Sequence, residues 1–204
     1  MSMEAFNWNV VVAGYWNPAI LTPSGIGQRL FGLDKGTPVL VEVPIDGGIL
    51  PYRVRHADLT VTAEMTKLVI EADQPNYEIL ERAKTTAVKA IVSLPETPFT
   101  AAGFNIRWKI LDPLPAGLIE RIKCSLDDSL SDASFEIKSR SLRRTLKKDA
   151  GLINLDILLS EESKIEFNFH RQSSKNDELI AWLSFPIAQV ETIIQDVFDK
   201  VVNL

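Results

Sequence analysis

Two stretches, Pro23-Ser24-Gly25-Ile26-Gly27-Gln28-Arg29-Leu30 and Pro115-Ala116-Gly117-Leu118-Ile119-Glu120-Arg121-Ile122, decide how this chain is read. They align at a constant offset of 92 residues, with three identities and four conservative changes. Asn17-Pro18 and Asp112-Pro113 precede the respective copies, and Phe6-Asn7 and Phe104-Asn105 stand further upstream. A repeat of this period fixes the organisation before any motif is weighed. It predicts two halves, residues 1–95 and 96–204, forming one compact pseudo-twofold unit.

Local signals fill in each half. Thr22 before Pro23 supplies an N-cap and a proline at the first helical position, where the missing N–H costs nothing. Asp73 before Pro75, and Ser184-Phe185 before Pro186, are read as the starts of two longer helices. Leu80, Ala83, Ala87, Ile91 and Leu94 recur at helical spacing, as do Ile187, Val190, Ile194, Val197 and Val201. Phe104, Ile106, Trp108 and Ile110 alternate with Asn105, Arg107 and Lys109, the period of a half-buried strand. Asp46-Gly47-Gly48 and the stretch from Ser160 to Ser163 have the chemistry of hairpin connections.

The first half therefore reads as strand 9–15, helix 23–33, strands 38–45, 50–56 and 59–72 with a break near Glu64, and helix 75–93. The second reads as strand 100–111, helix 115–125, strand 134–147 with a bulge around Ser139 to Ser141, strands 152–160 and 164–171, and helix 186–203. Leu179 to Phe185 is apolar throughout and fits either a buried strand or a helix. Both halves are β-α-β-β-β-α, which predicts an α+β fold: an internally duplicated, twisted antiparallel sheet covered by helices on one side. In element order this resembles the duplicated saddle of the TATA-binding-protein-like class, and the resemblance implies a fold and no activity. Thr97-Pro98-Phe99-Thr100-Ala101-Ala102-Gly103-Phe104-Asn105 resembles a stretch of uncharacterised bacterial proteins of unknown function.

Composition narrows the function classes. The chain has 204 residues, 46% of them apolar and 24% charged, with net charge −5. Its pI near 5.2 sets the overall field against polyanions. A single cysteine, Cys124, forbids an internal disulfide and points to a reducing cytoplasm. The residues Met1 to Ala5 lack the basic character of a secretory signal, and no apolar run approaches the length of a membrane span.

Gly25-Ile26-Gly27 invites a dinucleotide-loop reading, but Leu30 stands where a third glycine is required, and Trp16 to Thr22 separates the motif from its strand. The paired Gly25 and Gly117 are read instead as sites of close helix-on-sheet packing. No metal-ligand or nucleophile motif is present in the sequence, so no metal or cofactor is expected. His170, Asn168 and Glu166 share one face of a strand, which makes them the candidates for hydrolase or lyase chemistry. Cys124, near the end of a helix, is read as structural and shielded. Lys138, Arg140, Arg143, Arg144, Lys147 and Lys148 form a basic ribbon without an intervening acid. Such a ribbon suits a phosphate backbone or an acidic partner, or else blocks pairing at a sheet edge. No aromatic residue interleaves with it to stack bases, which disfavours nucleic acid. With no complete catalytic constellation, the sequence favours a non-catalytic protein that presents a sheet surface, including Arg53, Arg55, Arg107 and Lys109, to a protein partner or to its own copy. The hydrolase or lyase near His170 and the nucleic-acid ribbon are the alternatives.

Overall fold

The computed structural model describes residues 2–43, 51–111, 114 and 116–202. The expected Asp46-Gly47-Gly48 turn and the Asp112-Pro113 and Pro115 matches lie outside the described residues. In chain order the elements are β1 (Met3–Ala5), β2 (Asn9–Gly14), α1 (Pro23–Arg29), β3 (Leu40–Glu42), β4 (Arg53–His56), β5 (Leu59–Ala63), β6 (Lys67–Ala72), α2 (Tyr77–Ser93) and β7 (Phe99–Ile110). They continue with α3 (Ala116–Ile122), α4 (Ser125–Asp132), β8 (Arg140–Lys148), β9 (Gly151–Leu159), β10 (Lys164–Gln172), α5 (Asn176–Leu183) and α6 (Ile187–Val202).

All strand pairs are antiparallel, and the ten strands form one sheet in the order β3-β4-β5-β6-β2-β7-β10-β9-β8, with β1 also on β7. The fold is α+β. The central contact is between β2 and β7, so each half begins at the middle of the sheet, crosses to the edge and works back. β1 and β2 lie along the same side of β7. Ala5 faces Trp108 and Asn9 faces Asn105, four residues against three, so one extra residue bulges between them. Asn7 absorbs it with φ of 48°, a conformation asparagine tolerates better than most residues.

Period-two alternation sends Val10, Val12, Phe104, Ile106, Phe167, Phe169, Ile153 and Leu155 to the helix-covered side, all buried. Phe104 and Phe169 stack at 4.6 Å there. The stripes of α2 and α6 meet this layer through Leu80, Ala83, Ala87, Ile91, Val190 and Ile194. The α1 helix rests on α2 and β4, and α3 on α6 and β8. Ile26 and Leu118, which the 92-residue offset pairs, are both fully buried.

Several local readings change. Thr22 does cap α1, its Oγ1 accepting from the Gly25 N–H at 3.1 Å. A Cβ on Gly25 would sit 2.2 Å from the Ile20 carbonyl oxygen, so this glycine admits the preceding turn rather than the sheet. The α2 helix is capped by Asn76, whose Oδ1 accepts from the Ile79 N–H at 2.9 Å. Asp73 is engaged elsewhere, with Arg55 and Thr60. The break expected near Glu64 is present, a turn that divides residues 59–72 into β5 and β6. Leu179 to Phe185 is largely the helix α5, and Ser184 closes it instead of opening α6. The β8 register runs unbroken from Arg140 to Lys148; the parity change has no bulge behind it, because residues 135–139 precede the strand.

Candidate functional site

The face of the sheet away from the helices carries the unusual chemistry. Asn9 stands opposite Asn105, Asn105 opposite Asn168, Asn168 opposite Asn154, and Asn154 opposite Thr145. Neighbouring strands are about 4.8 Å apart, close enough for side-chain amides in one row to bond directly. They do so in a single direction. Thr145 Oγ1 donates to Asn154 Oδ1 (2.9 Å), Asn154 Nδ2 to Asn168 Oδ1 (2.9 Å), Asn168 Nδ2 to Asn105 Oδ1 (2.7 Å) and Asn105 Nδ2 to Asn9 Oδ1 (2.7 Å). Asn9 Nδ2 then donates to Asn7 Oδ1 at 3.1 Å. Asn9 and Asn105 are only 7% and 9% exposed. Buried amides are tolerable when bonded in this way. An amide has two N–H donors and two acceptor lone pairs, so each asparagine in the row keeps capacity beyond the ladder. The same row continues into the other half as Glu71, Thr60 and Arg55.

The row beside the ladder is ionic: Arg107 bonds Glu166 at 2.9 Å and Arg143 bonds Asp156 at 2.5 Å. With Ser141, Leu158 and Lys164 it borders a cavity of about 490 Å³. On the ladder's other flank Val11, Gly103, His170, Leu152 and Lys147 form the next row. A smaller hollow of about 180 Å³ lies there, floored by Ala13, Ala101 and Gly103 and walled by Asn105, Asn168 and His170. A Cβ on Gly103 would approach the Phe169 carbonyl oxygen to 2.3 Å, so glycine is required by the backbone contact between β7 and β10.

The face is nearly charge-balanced. Arg53 bonds Glu71 at 2.6 Å and Glu42 at 3.4 Å, and Arg55 bonds Asp73 at 2.6 Å. Lys109 lies over the Phe6 ring. Three of the four cations expected on the sheet surface, Arg53, Arg55 and Arg107, are thus neutralised by neighbours.

His170, Asn168 and Glu166 do share this face, as alternate residues of β10. No hydrogen bond joins His170 to either of the others. Asn168 spends its amide on Asn105 and Asn154, and Glu166 is held by Arg107. A general base needs a partner to orient it; this trio shares a face without forming a relay. The basic ribbon is divided as well. Arg143 and Lys147 stand on the open face, whereas Arg140, Arg144 and Lys148 stand on the helix-covered side of β8, and Lys138 precedes the strand. Arg140 bonds Asp127 at 2.5 Å, holding that carboxyl below its ordinary value, and Lys138 bonds Glu136.

Cys124 does follow the end of a helix, α3, and stands at the N-cap of α4, but it is exposed, which corrects the shielded reading. The α4 helix itself was missed because Ser125 to Asp132 is short and offers only two apolar residues, Leu126 and Leu130. Among the described residues no group of three or more His, Cys, Asp or Glu side chains could hold a metal ion, and no helix is long and apolar enough to cross a membrane.

Two polar residues on the helix side, one buried and one half-buried, had no sequence signal. Lys84, 1% exposed, donates to Glu81 and to the Phe185 carbonyl and lies 5.4 Å from the Phe104 ring centre. Burial lowers its pKa despite Glu81. Tyr77 packs edge-on to Trp8 at 5.0 Å, and desolvation, with Glu191 nearby, pushes its phenol up to about 12. Both bind helices to the sheet and neither opens onto the amide row. No family model, no curated protein and no solved structure matches this chain, so what the open face does rests on its geometry.

Proposed function

We propose that this chain is a non-catalytic binding or assembly protein that presents the open face of its sheet to a protein partner or to a second copy of itself. The observation that carries this reading is the five-residue polar ladder from Asn9 to Thr145, half-covered yet retaining hydrogen-bonding capacity at every amide. Protein surfaces meet through such mixed polar and small-residue patches, and the neutralised arginines beside it suit a protein better than a polyanion. The lone Cys124 is compatible with work in the cytoplasm. The same reading includes descent of the two halves from one copied unit. The matching strand order and the paired burial of Ile26 and Leu118 support it.

Size-exclusion with light scattering from micromolar concentrations upward, with affinity capture from the native host, tests the proposal. Self-association, or a captured partner, is expected to be lost in Leu152→Glu and Lys164→Glu, both solvent-facing, with thermal unfolding unchanged. A strict monomer that retains no partner, or an association indifferent to both substitutions, overturns it.

A further inference from the structure

The sheet has two ends, and they are built differently. One ends in β3, three residues long. The other ends in β8, nine residues in unbroken register with β9 and, among the described residues, paired with nothing on its outer side. Protein sheets usually shorten, bulge or cover such an edge. β8 has no proline and no bulge, and most of its residues are exposed. Among the described residues, what guards its outer edge is charge.

That charge has a particular arrangement. Arg140 and Arg143 are matched by Asp127 and Asp156. Among the described residues Arg144, Lys147 and Lys148 have no acidic partner. Lys147 projects to the open face, Arg144 and Lys148 to the opposite one. A polyanion lying on either face meets only part of this set. A ligand in the plane of the sheet, at its edge, reaches both sides at once. Leu146, exposed and on the same side as Arg144, adds apolar surface for such a ligand. The β8 of a second copy would bring like charge against like, which is repulsive.

We propose that the outer edge of β8 accepts an extended acidic peptide as an additional strand, with main-chain hydrogen bonds to β8 and carboxylates toward Arg144, Lys147 and Lys148. Main-chain pairing supplies affinity in this mode and side chains supply selection.

The probe is a fluorescein-labelled, capped peptide, Glu-Glu-Val-Glu-Val-Thr-Val-Thr-Val, matching the nine residues of β8. Two further versions carry N-methyl groups on alternate amides, one on the odd and one on the even positions. Fluorescence anisotropy should show binding that one methylation pattern weakens by about tenfold or more while the other leaves it nearly intact. The double variant Arg144→Glu/Lys148→Glu, its fold checked by thermal unfolding, should weaken binding to a similar extent. Equal binding of both methylated peptides would mean attraction by charge alone and overturn strand addition. Tighter binding of an oligothymidylate of equal charge would assign the edge to nucleic acid. Absence of peptide binding up to about 1 mM would also refute the proposal.

Discussion

At the scale of single residues, the open face depends on side chains that no local pattern connects. Asn9, Asn105, Asn154 and Asn168 are spread over more than 150 residues of sequence, and only the strand register brings them into one row. Alternation in β7 did place Asn105 on the polar side, but its burial follows from neighbours contributed by other strands. Truncating Asn105 leaves the Asn168 amide without its acceptor and Asn9 Oδ1 without its donor. Leaving such groups unpaired costs about 1–3 kcal/mol. Asn105→Ala should therefore lower the unfolding free energy by about 2 kcal/mol in urea titrations. Asn154→Ala, nearer the ladder's exposed end, should cost clearly less. Equal costs would mean that the amides do not act as a chain. The His170 trio was legible as a shared strand face. Its lack of a relay was not, because Arg107 and Asn154, which engage Glu166 and Asn168, come from other strands.

At the scale of elements, α5 shows why a local reading stalls. Its apolar run permits strand or helix, and the decision comes from outside it: Trp182 lies against Gly151, where a Cβ would meet the indole at 2.3 Å. Polar contacts anchor the first turn. Arg171, Lys175 and Ser173 all bond Glu178, with Arg171 the dominant cause, and hold its carboxyl down at about 2. A carboxylate depressed in the folded state contributes stability that is complete above its unfolded value near 4.5 and is lost as pH falls toward 2. Glu178→Gln should remove that part of the acid dependence, so urea midpoints for variant and wild type should converge between pH 4.5 and 2. Parallel curves through that window would show that Glu178 has no special hold on α5. By contrast α1 was readable from its proline and its Thr22 cap, and β7 and the body of α2 from clean periodicity, while the α2 cap proved to be Asn76 and not Asp73.

At the scale of the whole molecule, the chain is one sheet with helices on one side, and the polar ladder crosses from β2 into all four strands of the second half. The corresponding positions in the first half are Glu71, Thr60 and Arg55, tied into ion pairs and hydrogen bonds with Arg53 and Asp73. The two halves thus share an outline and differ in surface chemistry, amide on one side and ionic on the other. Composition and net charge set the overall field against polyanions. They carried no information about which face of the sheet lies open, since that depends on how the helix stripes pack.

The account stands or falls on whether the amide row is the surface that meets a partner. Side-chain amide NMR, followed as the concentration rises through self-association or as a captured partner is added, tests this directly. The account predicts that the Asn105, Asn154 and Asn168 side-chain signals shift while those of Asn76, on the helix side, stay in place. Shifts confined to Asn76 and the helices, with the ladder unmoved, would contradict it.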